Sequence, residues 1–237
     1  MTDKRNCPVE QRSASWLRGM IAAVPIVLGY LPVGFAYGVL GQGAGLSTVN
    51  IILMSLVVFA GSAQLVAVGL ISASLSPLSI ILTTFIVNLR HLLFSAAIFP
   101  HIAHWRKRDL AVFAYELTDE TFALHSTRFE LQDVEKGEVL AINITAHLAW
   151  ILGSWLGVVA GKRVLDIEPL ALDYVLPAMF IALLVMQIKT HTQVWAALLA
   201  GITSVVLLLG GFNQLHVIIA TIIGASFGAW IEGWKRI

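Results

Sequence analysis

Residues 19–89 read GMIAAVPIVLGYLPVGFAYGVLGQGAGLSTVNIILMSLVVFAGSAQLVAVGLISASLSPLSIILTTFIVNL, 71 consecutive positions without Asp, Glu, Lys, Arg or His. No water-soluble core needs a run of that length. A helix rising about 1.5 Å per residue requires roughly 20 apolar residues to cross about 30 Å of hydrocarbon. The run therefore holds about three membrane segments.

Working outward, Val139–Gly161, Tyr174–Ile188 and Thr190–Ile231 also lack Asp, Glu, Lys and Arg, and hold about one, one and two further segments. The 237 residues are 58% hydrophobic and 12% charged, against about 25% charged in a soluble domain. Net charge is +1 with the basic residues dispersed, which argues against nucleic acid as a partner. Cys7 is the sole cysteine and excludes an intrachain disulfide. The first apolar run continues too far, and without a small-residue cleavage site, for a cleavable signal peptide. A closed barrel would alternate apolar and polar residues in units of about ten, whereas these runs are continuously apolar. The expected fold is an all-α polytopic membrane protein with about seven membrane-embedded segments, some broken by Pro or Gly and one a candidate for re-entrance.

The expected layout is a polar N-terminal tail (1–18), a single transmembrane domain (19–231) and a C-terminal tail (232–237). Pro25, Gly29, Pro32 and Gly34 are expected to divide the first segment, about 19–40, and such breakers are tolerated only where neighbours or a cavity satisfy the freed backbone groups. The second segment runs to about Ser72 and the third from about Leu78 to Phe99, ending at Pro100. Residues 101–138 form the one large polar stretch, expected to include an amphipathic or re-entrant helix. Segments four to seven fall near 139–160, 174–188, 194–209 and 214–231, with Trp150, Trp155, Trp195 and Trp230 as candidate interfacial anchors. Leu31-Pro32-Val33-Gly34-Phe35 is echoed by Leu176-Pro177-Ala178-Met179-Phe180, and Gly61 with Gln64-Leu65 by Gly211 with Gln214-Leu215. That is a pointer to duplication, weakened by unequal offsets.

Seven simple crossings would divide the loop Lys and Arg residues six against eight, too even for the positive-inside rule to choose an orientation. If one segment of the uncharged run, a broken first or second, dips in without crossing, the division becomes twelve against two. Both termini then lie in the cytoplasm.

Arg90 inside an apolar segment costs on the order of 3 kcal/mol to insert, so it needs a partner or a wet cavity. Glu116, Asp119 and Glu120 are the acidic candidates. Arg90 suits a substrate carboxylate, or half of an ion pair that substrate or protons break; a snorkelling or statically paired Arg is the plainer reading. His91, His147 and His216 suit proton coupling, or are neutral and bonded to helix backbone. Gly61-Ser62-Ala63-Gln64 combines close helix approach with an amide that needs a partner. Breaks at Pro25, Pro32 and Pro177 would expose backbone groups at mid-membrane, as zwitterion transporters do; a plain proline kink is the alternative. Hydrolase elbows, zinc helices and phosphate loops are absent from the sequence, the three acids alone are weak grounds for a metal, and no cofactor is expected.

Four motifs occur in order: Pro25 with Leu31-Pro32-Val33-Gly34-Phe35-Ala36-Tyr37-Gly38, then Phe59-Ala60-Gly61-Ser62-Ala63-Gln64, Asn88-Leu89-Arg90-His91 and Leu117-Thr118-Asp119-Glu120-Thr121-Phe122. Together they resemble the AzlC family of branched-chain amino-acid exporters. The resemblance implies a bacterial cytoplasmic-membrane permease, not an enzyme, exporting valine, leucine or isoleucine, and in some relatives methionine or toxic analogues. It also implies a small, separately encoded membrane subunit of the AzlD type.

Chemistry and motif position together nominate Pro32, Gly34, Gly61, Ser62, Gln64, Asn88 and Arg90 for substrate binding. His91, Asp119 and Glu120 are nominated for proton coupling, since no nucleotide-binding loop offers another energy source. Two other classes stay open: an intramembrane lipid-processing enzyme built on Arg90, His91 and the acids, and a non-transporting membrane scaffold or sensor.

Overall fold

A computed structural model describes residues 8–131, 134–161, 190–211 and 216–234, with positions 174, 178, 181, 184, 185 and 188 singly between them. The fold is all-helical, without a strand among the described residues. The chain divides into two compact units, Met1–Phe180 and Ile181–Ile237.

The first unit opens with α1 (Pro8–Ala22) and α2 (Val24–Gly43). Part of the stretch expected as a polar tail is thus helical, and Arg18 ties α1 to Glu138 and Glu135 at 3.5 and 3.2 Å. Pro25 lacks the N–H that would reach back four residues, so the two helices part at Ala23 while the flanking bonds, Ala23 N to Gly19 O and Val27 N to Ala23 O, persist at 3.0 and 2.9 Å. The expected division at Pro32 does not occur. That residue lies exposed inside a continuous α2.

A further break falls in the second segment, one of the two in which a broken helix was expected, although no proline stands there. Ser47 caps α3 (Thr48–Leu53), a π-helical turn follows at Met54–Val58, Phe59 takes a left-handed backbone with φ 42°, and α4 (Gly61–Ser72) begins anew. The two halves, 48–58 and 61–72, are each about 18 Å long or less. Neither alone crosses the hydrocarbon.

A near-continuous rod follows, α5 (Pro77–Asn88) and α6 (Arg90–Ile102), parted at Leu89. It passes through Pro100, where the sequence pattern predicted its end. Leu78, Ile81, Phe85, Leu92 and Leu93 are exposed along it, as lipid-facing side chains would be. The polar stretch folds as α7 (Lys107–Tyr115) and α8 (Asp119–Leu131); Phe113 of α7 and Leu117 of the link between them pack with Ile98, Ile102 and Val139.

The long central helix, α9 (Lys136–Gly161), is pressed against α2. Two small-residue pairs permit this, Gly34 and Gly38 on α2 and Gly153 and Gly157 on α9. A Cβ on Gly157 would stand 2.1 Å from the Phe35 carbonyl oxygen, and one on Gly38 would stand 2.3 Å from that of Ser154. Trp150 is 1% exposed and sits among Tyr30, Tyr37 and Gly61. It is a core residue rather than an interfacial anchor, whereas Trp155, Trp195 and Trp230 are exposed.

In the second unit, Thr190 and Gln193 form a reciprocal capping box that starts α10 (His191–Leu209). Gly211, at φ 88°, turns the chain toward α11 (His216–Trp234), which approaches Ala196 and Ala200 through Gly224.

Among the described residues, four helices are long and apolar enough to cross a membrane: Val24–Gly43, Pro77–Ile102, Lys136–Gly161 and His191–Leu209. Thr48–Val58, Gly61–Ser72 and Ile219–Ile231 are shorter apolar pieces. Most of the expected fifth segment, with Leu176, Pro177, Met179 and Phe180 of the first sequence echo and Gln214-Leu215 of the second, lies outside the described residues, as do the 162–173 loop and the chain ends.

Candidate functional site

A narrow cleft in the first unit lies where the broken segment, the Leu89 junction and the start of α8 converge. Tyr30 and Trp150 wall it from α2 and α9, Phe59, Ala60, Gly61 and Ser62 from the break, Arg90 and His91 from α6, and Asp119 and Glu120 from α8 with Thr118 just before it.

The acids are placed by a helix cap. Thr118 accepts from the Thr121 backbone N–H at 3.3 Å, and Thr121 Oγ1 accepts from the Thr118 N–H at 2.8 Å. Asp119 and Glu120 therefore occupy the first turn of α8, where the helix dipole favours negative charge. Arg90 Nη2 lies 2.8 Å from Asp119 Oδ2, and Arg90 also donates to Ser62 Oγ. The two charged side chains are only 22% and 12% exposed. The Tyr30 hydroxyl donates to Glu120 Oε2 at 2.6 Å and lies 2.6 Å from Thr118 Oγ1.

Burial raises the pKa of the Asp119 carboxyl above the usual carboxylate range, and the Arg90 charge opposes it. Burial likewise raises Glu120, opposed by the hydrogen bond from Tyr30 and reinforced by the neighbouring Asp119. The arrangement can hold a carboxylate on a guanidinium, and can exchange a proton or a cation at two acids, one buried and one half-buried.

The cleft gathers Gly61, Ser62, Arg90, His91, Asp119 and Glu120. Four other nominated residues are elsewhere. Pro32 is exposed on α2, Gly34 is spent on the crossing with α9, and Asn88 ends α5 outside the lining. Gln64 is buried behind the cleft, accepting from Trp150 Nε1 at 3.1 Å and donating to Ser55 Oγ at 3.4 Å. Tyr30, Phe59, Thr118 and Trp150 escaped sequence reasoning because aromatic and hydroxyl residues are ordinary in apolar helices. The only hint was that Phe59 and Thr118 stand inside the motifs. The free volume of the cleft is about 10 Å³, close to the least that holds one water. The cleft is narrow rather than roomy.

The AzlC protein family model matches residues 25–164, a range that contains every cleft residue. The chain belongs to the AzlC family. Among AzlC-like relatives, an uncharacterized membrane protein of Archaeoglobus fulgidus is 33% identical over 92% of this chain and 96% of its own length. The branched-chain amino acid transport protein AzlC of Bacillus subtilis is 29% identical over 88% of this chain and 84% of its own. The inner membrane protein YgaZ of Escherichia coli is 28% identical over 94% and 92%. No solved structure matches the chain. AzlC membership, relatives named as membrane proteins and the long apolar helices make this a multi-pass membrane protein, and a membrane transport role is what family and relatives support.

Proposed function

We propose that this chain is a secondary transporter that exports branched-chain amino acids, valine, leucine or isoleucine, across the bacterial cytoplasmic membrane. Methionine and amino-acid analogues belong to the same substrate class. Efflux is driven by the proton gradient and requires a small AzlD-type membrane subunit, and both units of the chain belong to one transport domain. The name of the Bacillus subtilis relative supports the substrate class.

The observation that carries the mechanism is the Arg90–Asp119 ion pair at the mouth of a broken helix. A zwitterion laid across that pair replaces one ion pair with two. Its carboxylate takes the Arg90 fork and the first-turn amides of α4, while its ammonium takes the carboxylate of Asp119 or Glu120. Its aliphatic side chain meets Phe59, Ala60 and Trp150. Proton and ammonium then compete for the same carboxylate oxygens, so each excludes the other, and mutual exclusion is the relation that proton–substrate exchange requires. Because the cleft has room for about one water, loading requires the helix halves to move, and the junctions at Phe59–Ala60 and Leu89 are the places for it.

The test is valine efflux from loaded liposomes carrying this chain with its AzlD-type partner. Uphill export that collapses with a protonophore supports the reading. Uphill export that survives the collapse of the gradient excludes proton coupling, and full transport by Arg90→Ala excludes the carboxylate role.

A further inference from the structure

Behind the cleft lies a second polar cluster that the transport reading does not use. In the π-helical turn the Phe59 N–H donates to Met54 O at 3.3 Å, one residue beyond the α register, so the Ser55 carbonyl loses the partner an α-helix would give it. His147 of α9 replaces that partner, with Nε2 3.0 Å from Ser55 O. The neighbouring Leu56 carbonyl accepts from the Tyr115 hydroxyl. The other imidazole nitrogen, Nδ1, sits 3.1 Å from one carboxyl oxygen of Glu116 and 3.0 Å from the other.

From these contacts we infer that Glu116 and His147 together hold one exchangeable proton, forming a buried proton-binding site distinct from the cleft acids and attached to the helix break. A carbonyl only accepts, so Nε2 must carry a hydrogen. Nδ1 faces a carboxyl group, and that contact needs one more proton, either on Nδ1 donating to an ionised carboxylate or on the carboxyl donating to a bare nitrogen. Both descriptions contain the same single proton and the same net charge. Removing it sets a nitrogen lone pair against a carboxylate at about 3 Å, between residues only 7% and 8% exposed. An uncompensated buried charge of that kind is costly. The contact therefore persists with the proton and opens without it.

The elements around the pair leave it few other charges to answer to. Tyr115 is beside it on α7, and α3, the π turn and α4 carry no titratable side chain. On α2, Tyr30 is engaged with Glu120 and Tyr37 with Ile51 O, while on α8 Asp119 is engaged with Arg90 and His125 with Asn143. The consequence reaches the cleft through Phe59, whose ring stacks on the His147 imidazole at 3.9 Å between centroids and whose left-handed backbone forms the break. Proton release frees the imidazole, the Ser55 carbonyl and Phe59 together. That last step rests on the transport reading; the proton site itself does not.

The experiment is a pH titration of the purified full-length protein in lipid nanodiscs, following ¹⁵N-labelled histidine by NMR and carboxyl bands by infrared spectroscopy. His147→Gln assigns the histidine signal and Glu116→Gln the carboxyl band. The expected wild-type result is one shared step in which the His147 signal and the Glu116 band change together. In Glu116→Gln the side-chain amide donates permanently to Nδ1, so the His147 signal stays constant through that range. A His147 signal that changes while the Glu116 carboxyl band neither shifts nor changes intensity, or a His147 titration unmoved by Glu116→Gln, overturns the shared proton. Efflux indifferent to the proton gradient alongside an intact shared step removes the coupling proposed above and leaves this site standing.

Discussion

Arg90 and Asp119, 29 residues apart in sequence, meet at 2.8 Å in the narrow cleft. The charge that most needs compensation in the apolar third segment is answered from the polar stretch that follows it. A pair of this kind is costly to break from one side, because the surviving charge stays poorly solvated.

Arg90→Ala and Asp119→Asn are each expected to lower valine efflux at least tenfold. The double variant should lose less than the product of the two. A double-mutant cycle on initial efflux rates checks this, and strictly multiplicative losses would mean that the two side chains act independently.

The crossing of α2 and α9 should fail on the addition of one methyl group. Gly157→Ala sets a Cβ about 2 Å from a backbone oxygen, and overpacking of that order costs about 1–3 kcal/mol. Gly29→Ala, with nothing within 4 Å of the new atom, should be neutral or stabilising by about 0.5 kcal/mol. Thermal melts of both variants in detergent measure the contrast.

His125 predicts a loss of stability in acid. Burial lowers its pKa from the usual 6.5 to about 4, with the Arg128 charge adding to the effect and the Asn143 hydrogen bond opposing it. Between those two values the unfolded chain takes up a proton that the folded chain refuses, so stability is intact above about pH 6.5 and falls as the pH drops toward 4. The contribution is about 3 kcal/mol at most. His125→Gln should lack this component, so the gap between wild type and variant should narrow from about pH 7.5 to about pH 4.5 in melts.

Topology is open to a direct check. If one segment of the uncharged run does not cross, labelling should reach Cys7 and a cysteine at position 162 (Lys162→Cys) from opposite sides of the membrane. Labelling from the same side would restore simple alternation.

The motifs that carried the family resemblance supplied much of the cleft, since Gly61, Ser62, Arg90, His91, Asp119 and Glu120 could all be named from sequence. They also drew in Gly34 and Gln64, because a motif does not distinguish a residue that faces a cavity from one that packs a helix against its neighbour. Breaks were expected around Pro25 and Pro32, because proline removes a backbone donor, and in the first or second segment; the chain does part at Ala23, just before Pro25, but runs on as helix through Pro32. The second segment breaks at Phe59–Ala60, where the lost helix bond is replaced by side chains from α7 and α9.

The uncharged run by itself determined that the protein is helical and membrane-embedded, because hydrocarbon leaves backbone groups no solvent to bond and admits only structures that pair them internally. The need of Arg90 for a partner was equally legible, since the cost of an unpaired guanidinium in lipid does not depend on the fold. Which acid answers it, where the second segment parts, and that Glu116 and His147 face each other were decided only by tertiary structure. Each depends on how closely α2 and α9 approach and on what α7 and α8 lay across them, and those distances are set by packing between residues far apart in the chain.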